Sequence, residues 1–396
     1  MNITRYLALH VMGALFPLTA GIMLYGWRAA GAIGLVLVSA GLSAAIWRRI
    51  GTRGSRVHYD QVLWLALLLT MTLPAHLLSI SDPVSATTAL AWPILVAAGG
   101  TLVMFVWAIG GTGSGRLHPV VITHLLLFVV FADMLVPRYA LRREHILWGD
   151  VVNAITPASD RTPPLTSAAI LGRESLLESS KQAWITAPPE VGLGEAIRSI
   201  PAAQRLESFT GGHEAPERTW VSLESLVRDR LPPLEDLIVG GQPAPIGQGS
   251  AIAIIIGGMF LLYRGVIDYR VPLLVLISAL LCLLLLPVPV VITDNAREWR
   301  WLAMLDPSVG PALGVTFANY ETMASPLMFT AFFLATSSSV RPLSRRARVI
   351  YALLIGASSA AFQLYASVMI GPYLALLGVS LLTPWLDRAF RPRTLV

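Results

Sequence analysis

Few residues in this chain combine the types and spacing that chemistry needs. In GDVVNAITPAS, residues 149–159, Thr156 offers a hydroxyl able to accept an ester or phosphoester link, and Thr156-Pro157 is equally the composition of an ordinary turn. In GGQPAPIGQGSAIAIIIGGMF, residues 240–260, Gln248 and Ser250 place hydrogen-bonding groups where an apolar run begins. The free N–H groups of a helix start there favour an anionic or electron-rich partner; a well-capped helix leaving a loop is the other reading. Gly247 and Gly249 allow close approach or unusual dihedrals at the same point.

SPLMFTAFFLATSSSVRP, residues 325–342, is an apolar run interrupted by Ser325-Pro326 and by the hydroxyls Thr336, Ser337, Ser338 and Ser339. Broken backbone at membrane depth is tolerated only where it is buried or lines a cavity, so the run suits a cofactor or ion site, or a helix end whose arginines meet lipid phosphates. GGTGSGRLHP, residues 110–119, lacks the Lys-Ser/Thr and the preceding strand of a nucleotide loop and reads as a tight turn. Ionisable groups inside apolar runs are His10, His76, His124, Asp133 and Glu321, each expensive to bury. His118 and His124 are six apart, a spacing unsuited to a shared metal, and the lone Cys282 permits neither an internal disulfide nor a cysteine-ligated cluster.

The elements that carry these residues follow from composition. The 396 residues are 55% hydrophobic and 13% charged, which excludes an ordinary soluble domain and points to a chain embedded in the lipid bilayer. The net charge of +6 comes from arginines in short segments between apolar runs, a membrane pattern that argues against nucleic-acid binding. Runs long enough to cross about 30 Å of hydrocarbon lie near 6–25, 28–47, 61–80, 88–109 and 119–137, then near 248–264, 271–292, 312–337, 349–366 and 368–386.

Placing both termini in the cytoplasm gives the cytoplasmic segments fifteen arginines and leaves only Arg28, Arg297 and Arg300 in the short loops opposite. Residues 138–249, with 14 of the 23 acidic residues and many prolines, then lie on the periplasmic side, with short helices expected around 166–180 and 193–207. The expected fold is all-α and integral to the membrane, with about ten transmembrane helices. Two inverted five-helix repeats, 1–137 and 250–396, flank the 138–249 loop, and such repeats commonly build a site at their interface.

The run LPPLEDLIVGGQPAPIGQGSAIAIIIGGMFLLYRGVIDYRVP resembles a stretch of one known family. This is the RnfD/NqrB family, which comprises a membrane component of the Rnf electron-transport complex and its homologue in the sodium-pumping NADH:quinone oxidoreductase. LALLLTMTLPAHL at 65–77, GGTGSGRLHP and MFTAFFLATSSSVRP are similar to further family stretches. The resemblance implies a bacterial inner-membrane protein that couples electron transfer to Na⁺ or H⁺ translocation beside other membrane and flavin-bearing subunits. It also implies FMN bound covalently to a threonine after the fifth helix. Asp150, Thr156 and Pro157 are in register with that motif, which nominates Thr156, although Asn153-Ala154-Ile155 stand where the family has Ser-Gly-Ala. Gln248, where the family has Glu, and Ser250 are then expected to line a second flavin, riboflavin, or the flavin-facing wall. A flavin-free scaffold subunit and a small-solute channel are the alternative expectations.

Overall fold

The computed structural model describes residues 3–50, 58–78, 91–109, 117–135, 238–240, 244–293, 296–300, 315, 318–319, 321–367 and 369–390. Thr156, the expected helices at 166–180 and 193–207, and most of the 138–249 segment lie outside the described residues.

The first two expected spans form one long helix, α1 (Ile3–Ile50), broken at Gly26, whose φ of 64° favours a residue without a side chain. The break separates Tyr6–Gly26 from Arg28–Arg49. Next come α2 (Tyr59–Thr70), a 3₁₀ turn at Ala75–Leu78, α3 (Trp92–Ile109) and α4 (Pro119–Leu135). The second half begins with α5 (Ala251–Tyr263) and α6 (Arg270–Leu285). A helical turn at Leu327–Phe329 continues as a π-helix over Thr330–Leu334, followed by α7 (Arg345–Tyr365) and α8 (Gly371–Ala389).

Among the described residues, four helices are long and apolar enough to cross a membrane: Tyr6–Gly26, Arg28–Arg49, Trp92–Ile109 and Arg345–Tyr365. Exposed large apolar side chains such as Val129, Met259, Leu281 and Leu382 coat the helices, as expected of a protein solvated by lipid. The chain is a predominantly helical, multi-pass membrane protein.

Three expected spans are corrected. The run at 61–80 is helical only to Thr70, because Pro74 cannot continue a helix; its 12 residues rise about 18 Å. The run at 271–292 leaves the helix at Leu285. Leu286, ahead of Pro287, is extended (φ −81°, ψ 142°), and the β-branched Val288–Thr293 pairs antiparallel with Ala296–Arg300, Val288 opposite Arg300. An apolar run of this length reads the same for a buried helix and a strand until its prolines are weighed. The run at 312–337 is broken at Ala324–Pro326.

One packing motif recurs in both halves. Gly99 of α3 sits on Val36, Ser39 and Ala40 of α1, so closely that a Cβ would meet the Ser39 hydroxyl. Gly356 of α7 sits on Val275, Ser278 and Ala279 of α6 in the same way. In each case the serine hydroxyl donates to a carbonyl three residues back, Ser39 to Val36 at 3.0 Å and Ser278 to Val275 at 3.2 Å. The helices of each pair approach through small residues, as membrane helices do in the absence of a hydrophobic drive to associate. Where α1 meets α5, Gly13 packs on Leu261, Gly257 on the Gly13 carbonyl, and Phe16 on Phe260 with centroids 6.0 Å apart.

Candidate functional site

The end of α2 frees backbone carbonyls inside the protein. Thr70 and Thr72 turn their hydroxyls onto the carbonyls of Ala66 and Leu69, both at 2.7 Å. The carbonyls of Met71 and Leu73 are met by the segment leading into α5. Ile246 N–H donates to Leu73 at 3.0 Å, Gly247 N–H to Met71 at 3.1 Å, and Gln248 Nε2 to Met71 at 3.3 Å. Backbone that leaves a helix at this depth must be satisfied by protein, and this pairing does it. Gly247 is required by proximity, since a Cβ there would strike Met71; a Cβ on Gly249 would likewise come within 2.8 Å of Tyr25 Oη. Neither glycine has a positive φ, so of the two roles expected for them the structure uses close approach. Tyr25 Oη accepts from Ala244 N–H at 3.1 Å and holds the start of the segment to α1.

Ser250 ends the segment as the N-cap of α5. Its Oγ accepts from Ala253 N–H at 3.4 Å and donates to the Ile238 carbonyl at 3.1 Å. At the other end of α5, Gly265 (φ 66°) terminates the helix, with Gly265 N–H bonded to Leu262 O and Val266 N–H to Leu261 O. Gln248 carries a second bond, from Nε2 to Tyr373 Oη on α8 at 2.6 Å. The Tyr373 ring lies against His124 of α4, centroids 4.6 Å apart and tilted by 56°. Gln248, Tyr373 and His124 are all buried.

The second break uses side chains. Ser325 Oγ accepts from Leu327 N–H at 3.3 Å and from Gln363 Nε2 of α7 at 2.6 Å. Of the hydroxyl cluster, Thr336 bonds the Phe332 carbonyl at 2.6 Å and Ser337 lies 3.0 Å from Ser339. Tyr351 of α7 donates to the Ala335 carbonyl at 3.2 Å. The π-helix between these points places Thr330 in the core, where Glu321 is also buried; π-helical turns are frequent at functional sites.

At one end of the second half, charged residues tie three helices together. Arg348 Nη1 bonds Asp268 Oδ2 at 3.0 Å, and its Nε and Nη2 donate to the carbonyls of Pro342 and Leu343. Asp387 of α8 accepts from Leu343 N–H at 2.9 Å, and Ser344 caps α7. Burial pushes the Asp268 carboxyl up. The Arg270 amide, the Arg348 hydrogen bond and the two guanidinium charges outweigh it, and the group sits below its ordinary value of 3.8. These contacts give Asp268 a structural role.

The structure thus places Gln248 and Ser250 on one segment and engages both within the protein, while Thr156 is outside the described residues. Sequence reasoning passed over Tyr373 and Gln363, although each was visible as a polar side chain in an apolar run. Among the described residues no group of three His, Cys, Asp or Glu is placed to hold a metal.

Apolar helices, some too short to cross a membrane, and a distant segment that closes one of them define a polytopic membrane protein with buried polar groups. The model of the NQR2, RnfD, RnfE family matches residues 2–396, and the chain belongs to that family. It is 26% identical over 397 residues to the D subunit of the ion-translocating oxidoreductase complex of Stutzerimonas stutzeri, covering 97% of this chain and 90% of that protein. With the D subunit of the complex of the same name from Halorhodospira halophila it shares 23% over 390 residues, 97% of this chain and 89% of the relative. With the D subunit of the Na⁺-translocating ferredoxin:NAD⁺ oxidoreductase complex of Acetobacterium woodii it is 27% identical over 165 residues. That match spans 41% of this chain and under half, 43%, of the relative.

Proposed function

We propose that the chain is the membrane subunit of an Rnf-type complex that couples electron transfer to Na⁺ or H⁺ translocation. The observation that carries this reading is the match to the family along nearly the whole chain, including both broken helices. In this reading the chain lies in the bacterial inner membrane with both termini cytoplasmic and 138–249 periplasmic. Two inverted five-helix repeats surround the interior; the Gly99 and Gly356 contacts and the Phe16–Phe260 pair support that arrangement. Its partners are other membrane and flavin-bearing subunits.

Thr156 is the residue proposed to carry FMN as a phosphoester. A bound flavin supplies electron transfer in one- or two-electron steps, tuned by the protein around it. Gln248 and Ser250 belong to the protein wall beside a second flavin, riboflavin, rather than to its direct ligands. Gln248 Nε2 is already engaged with Met71 and Tyr373, and Ser250 Oγ with Ala253 and Ile238.

The test is in-gel ultraviolet fluorescence of the denatured chain after coexpression with a flavin transferase. A fluorescent band that disappears in Thr156→Ala supports the assignment. A band that persists in the variant moves the attachment elsewhere, and a dark wild-type band supports a flavin-free scaffold.

A further inference from the structure

Three buried side chains from separate stretches meet where the two halves join, and their donor and acceptor roles are fixed by what surrounds them. Gln248 Nε2 faces the Met71 carbonyl, which can only accept, so the amide nitrogen is the donor on that side. The same nitrogen lies 2.6 Å from Tyr373 Oη, so the phenol oxygen accepts and its O–H is left to point elsewhere. The ring beside it is His124, whose Nδ1 has no hydrogen-bond partner among the described residues. Gln248, Tyr373 and His124 are 6%, 1% and 5% exposed. A buried polar atom left unpaired costs about 1–3 kcal/mol, and one that persists calls for an explanation such as an internal water or a function.

We propose that Tyr373 and His124 form a proton relay at this junction, with Gln248 positioning the Tyr373 hydroxyl. The inference rests on the ion-moving function proposed above and narrows the carried ion to the proton. Tyr373 Oη makes no direct hydrogen bond to His124 Nδ1. One bridging water therefore takes the phenol proton and hands one of its own to the imidazole, while the phenol oxygen regains a proton from a water on its other side. The imidazole releases a proton from its second nitrogen, and both residues return to their starting charge with no electron moved. Protonatable groups within membrane helices are characteristic of such relays.

The surroundings suit a proton better than a metal cation. Of the helices packed on α4, α3 carries no titratable side chain and α2 carries only Tyr59 and Asp60, both in its first turn. α8 presents Tyr373 here and has Asp387 and Arg388 at its far end. His118, ahead of α4, is also buried with both ring nitrogens unpartnered among the described residues.

The experiment uses the whole complex, purified from native membranes and reconstituted in liposomes, and reads protons taken up per electron transferred. His124→Gln and Tyr373→Phe slow proton uptake by about a hundredfold, the low end of what a positioned proton acceptor contributes to a rate, and lower that ratio with it. Gln248→Leu lowers it less and raises the solvent deuterium isotope effect on uptake, which lost packing alone would not do.

A second readout is independent of turnover. In ¹⁵N-histidine solid-state NMR of the complex, with His124→Gln identifying the resonance, the His124 signal changes protonation state as the buffer is acidified. Unchanged proton uptake in both variants, or a wild-type complex that moves Na⁺ and no protons, overturns the relay and leaves the electron-transport function standing. If the wild-type complex transfers no electrons, that function fails, and the His124 resonance decides the relay alone: an invariant signal overturns it.

Discussion

The two breaks in the apolar helices are held in different ways. At Met71–Pro74 the freed carbonyls are met mainly by backbone N–H groups, from a segment 177 positions away at Gln248. At Ala324–Pro326 the closure is a side-chain bond between Ser325 and Gln363, 38 positions apart. The first break is therefore a joint between the two halves and exists only when both are assembled. The second is completed inside its own half and can form earlier. The joint also carries the polar chain through Gln248 to Tyr373 and His124, so the halves meet through hydrogen bonds as well as through apolar packing.

The sharpest way to break this contrast is to open the joint. Gly247→Val drives a branched side chain into Met71 and strips its carbonyl of two partners. It costs about 3 kcal/mol or more, seen as a lower unfolding temperature in detergent and a broadened size-exclusion peak. A variant as stable as wild type would mean that the segment does not lie against the break.

A smaller effect is expected at the second break. Gln363→Leu leaves Ser325 without its buried partner and destabilises by about 2 kcal/mol. In a double-mutant cycle with Ser325→Ala the coupling is about 1 kcal/mol, and additive losses would show that the two residues act separately.

The smallest effect is at the rim. Asp268→Asn weakens a partly exposed pair and costs about 0.5 kcal/mol. The Asp268 carboxyl is depressed in the folded protein, so its contribution is fully present above 3.8 and is lost as the pH falls through the lower folded value. Thermal unfolding of wild type therefore loses that increment on acidification, and the Asn variant does not.

Much of the helical scaffold was legible because long apolar runs have few alternatives in a bilayer. The start of α5 at Ser250 and the close approach at Gly247 and Gly249 followed from local chemistry. The pairing of 246–248 with Met71 and Leu73 did not, since no local period marks a contact between segments so far apart. The strand pair of 288–293 with 296–300 was hidden because Val-Pro-Val-Val-Ile-Thr is as apolar as a helix, and only its prolines and β-branching argue otherwise. Val-Leu-Val-Ser-Ala at 36–40 and Val-Leu-Ile-Ser-Ala at 275–279 were readable as a repeat, but their meaning came from the glycines that pack on them. Gln248 and Ser250 were nominated by their place at a helix start and by family position, and what neither could reveal is that Gln248 Nε2 and Ser250 Oγ are spent inside the protein.

The central claim, that the chain works as a flavin-bearing subunit of an Rnf-type complex, is tested most directly by one purification. The tagged chain is isolated from its native membranes in mild detergent, and the co-purifying subunits and the peptide containing Thr156 are identified by mass spectrometry. The expected result is a multi-subunit assembly with redox-active partners and a Thr156 peptide heavier by one FMN. A chain that purifies alone, with an unmodified Thr156 peptide and no flavin, would contradict it.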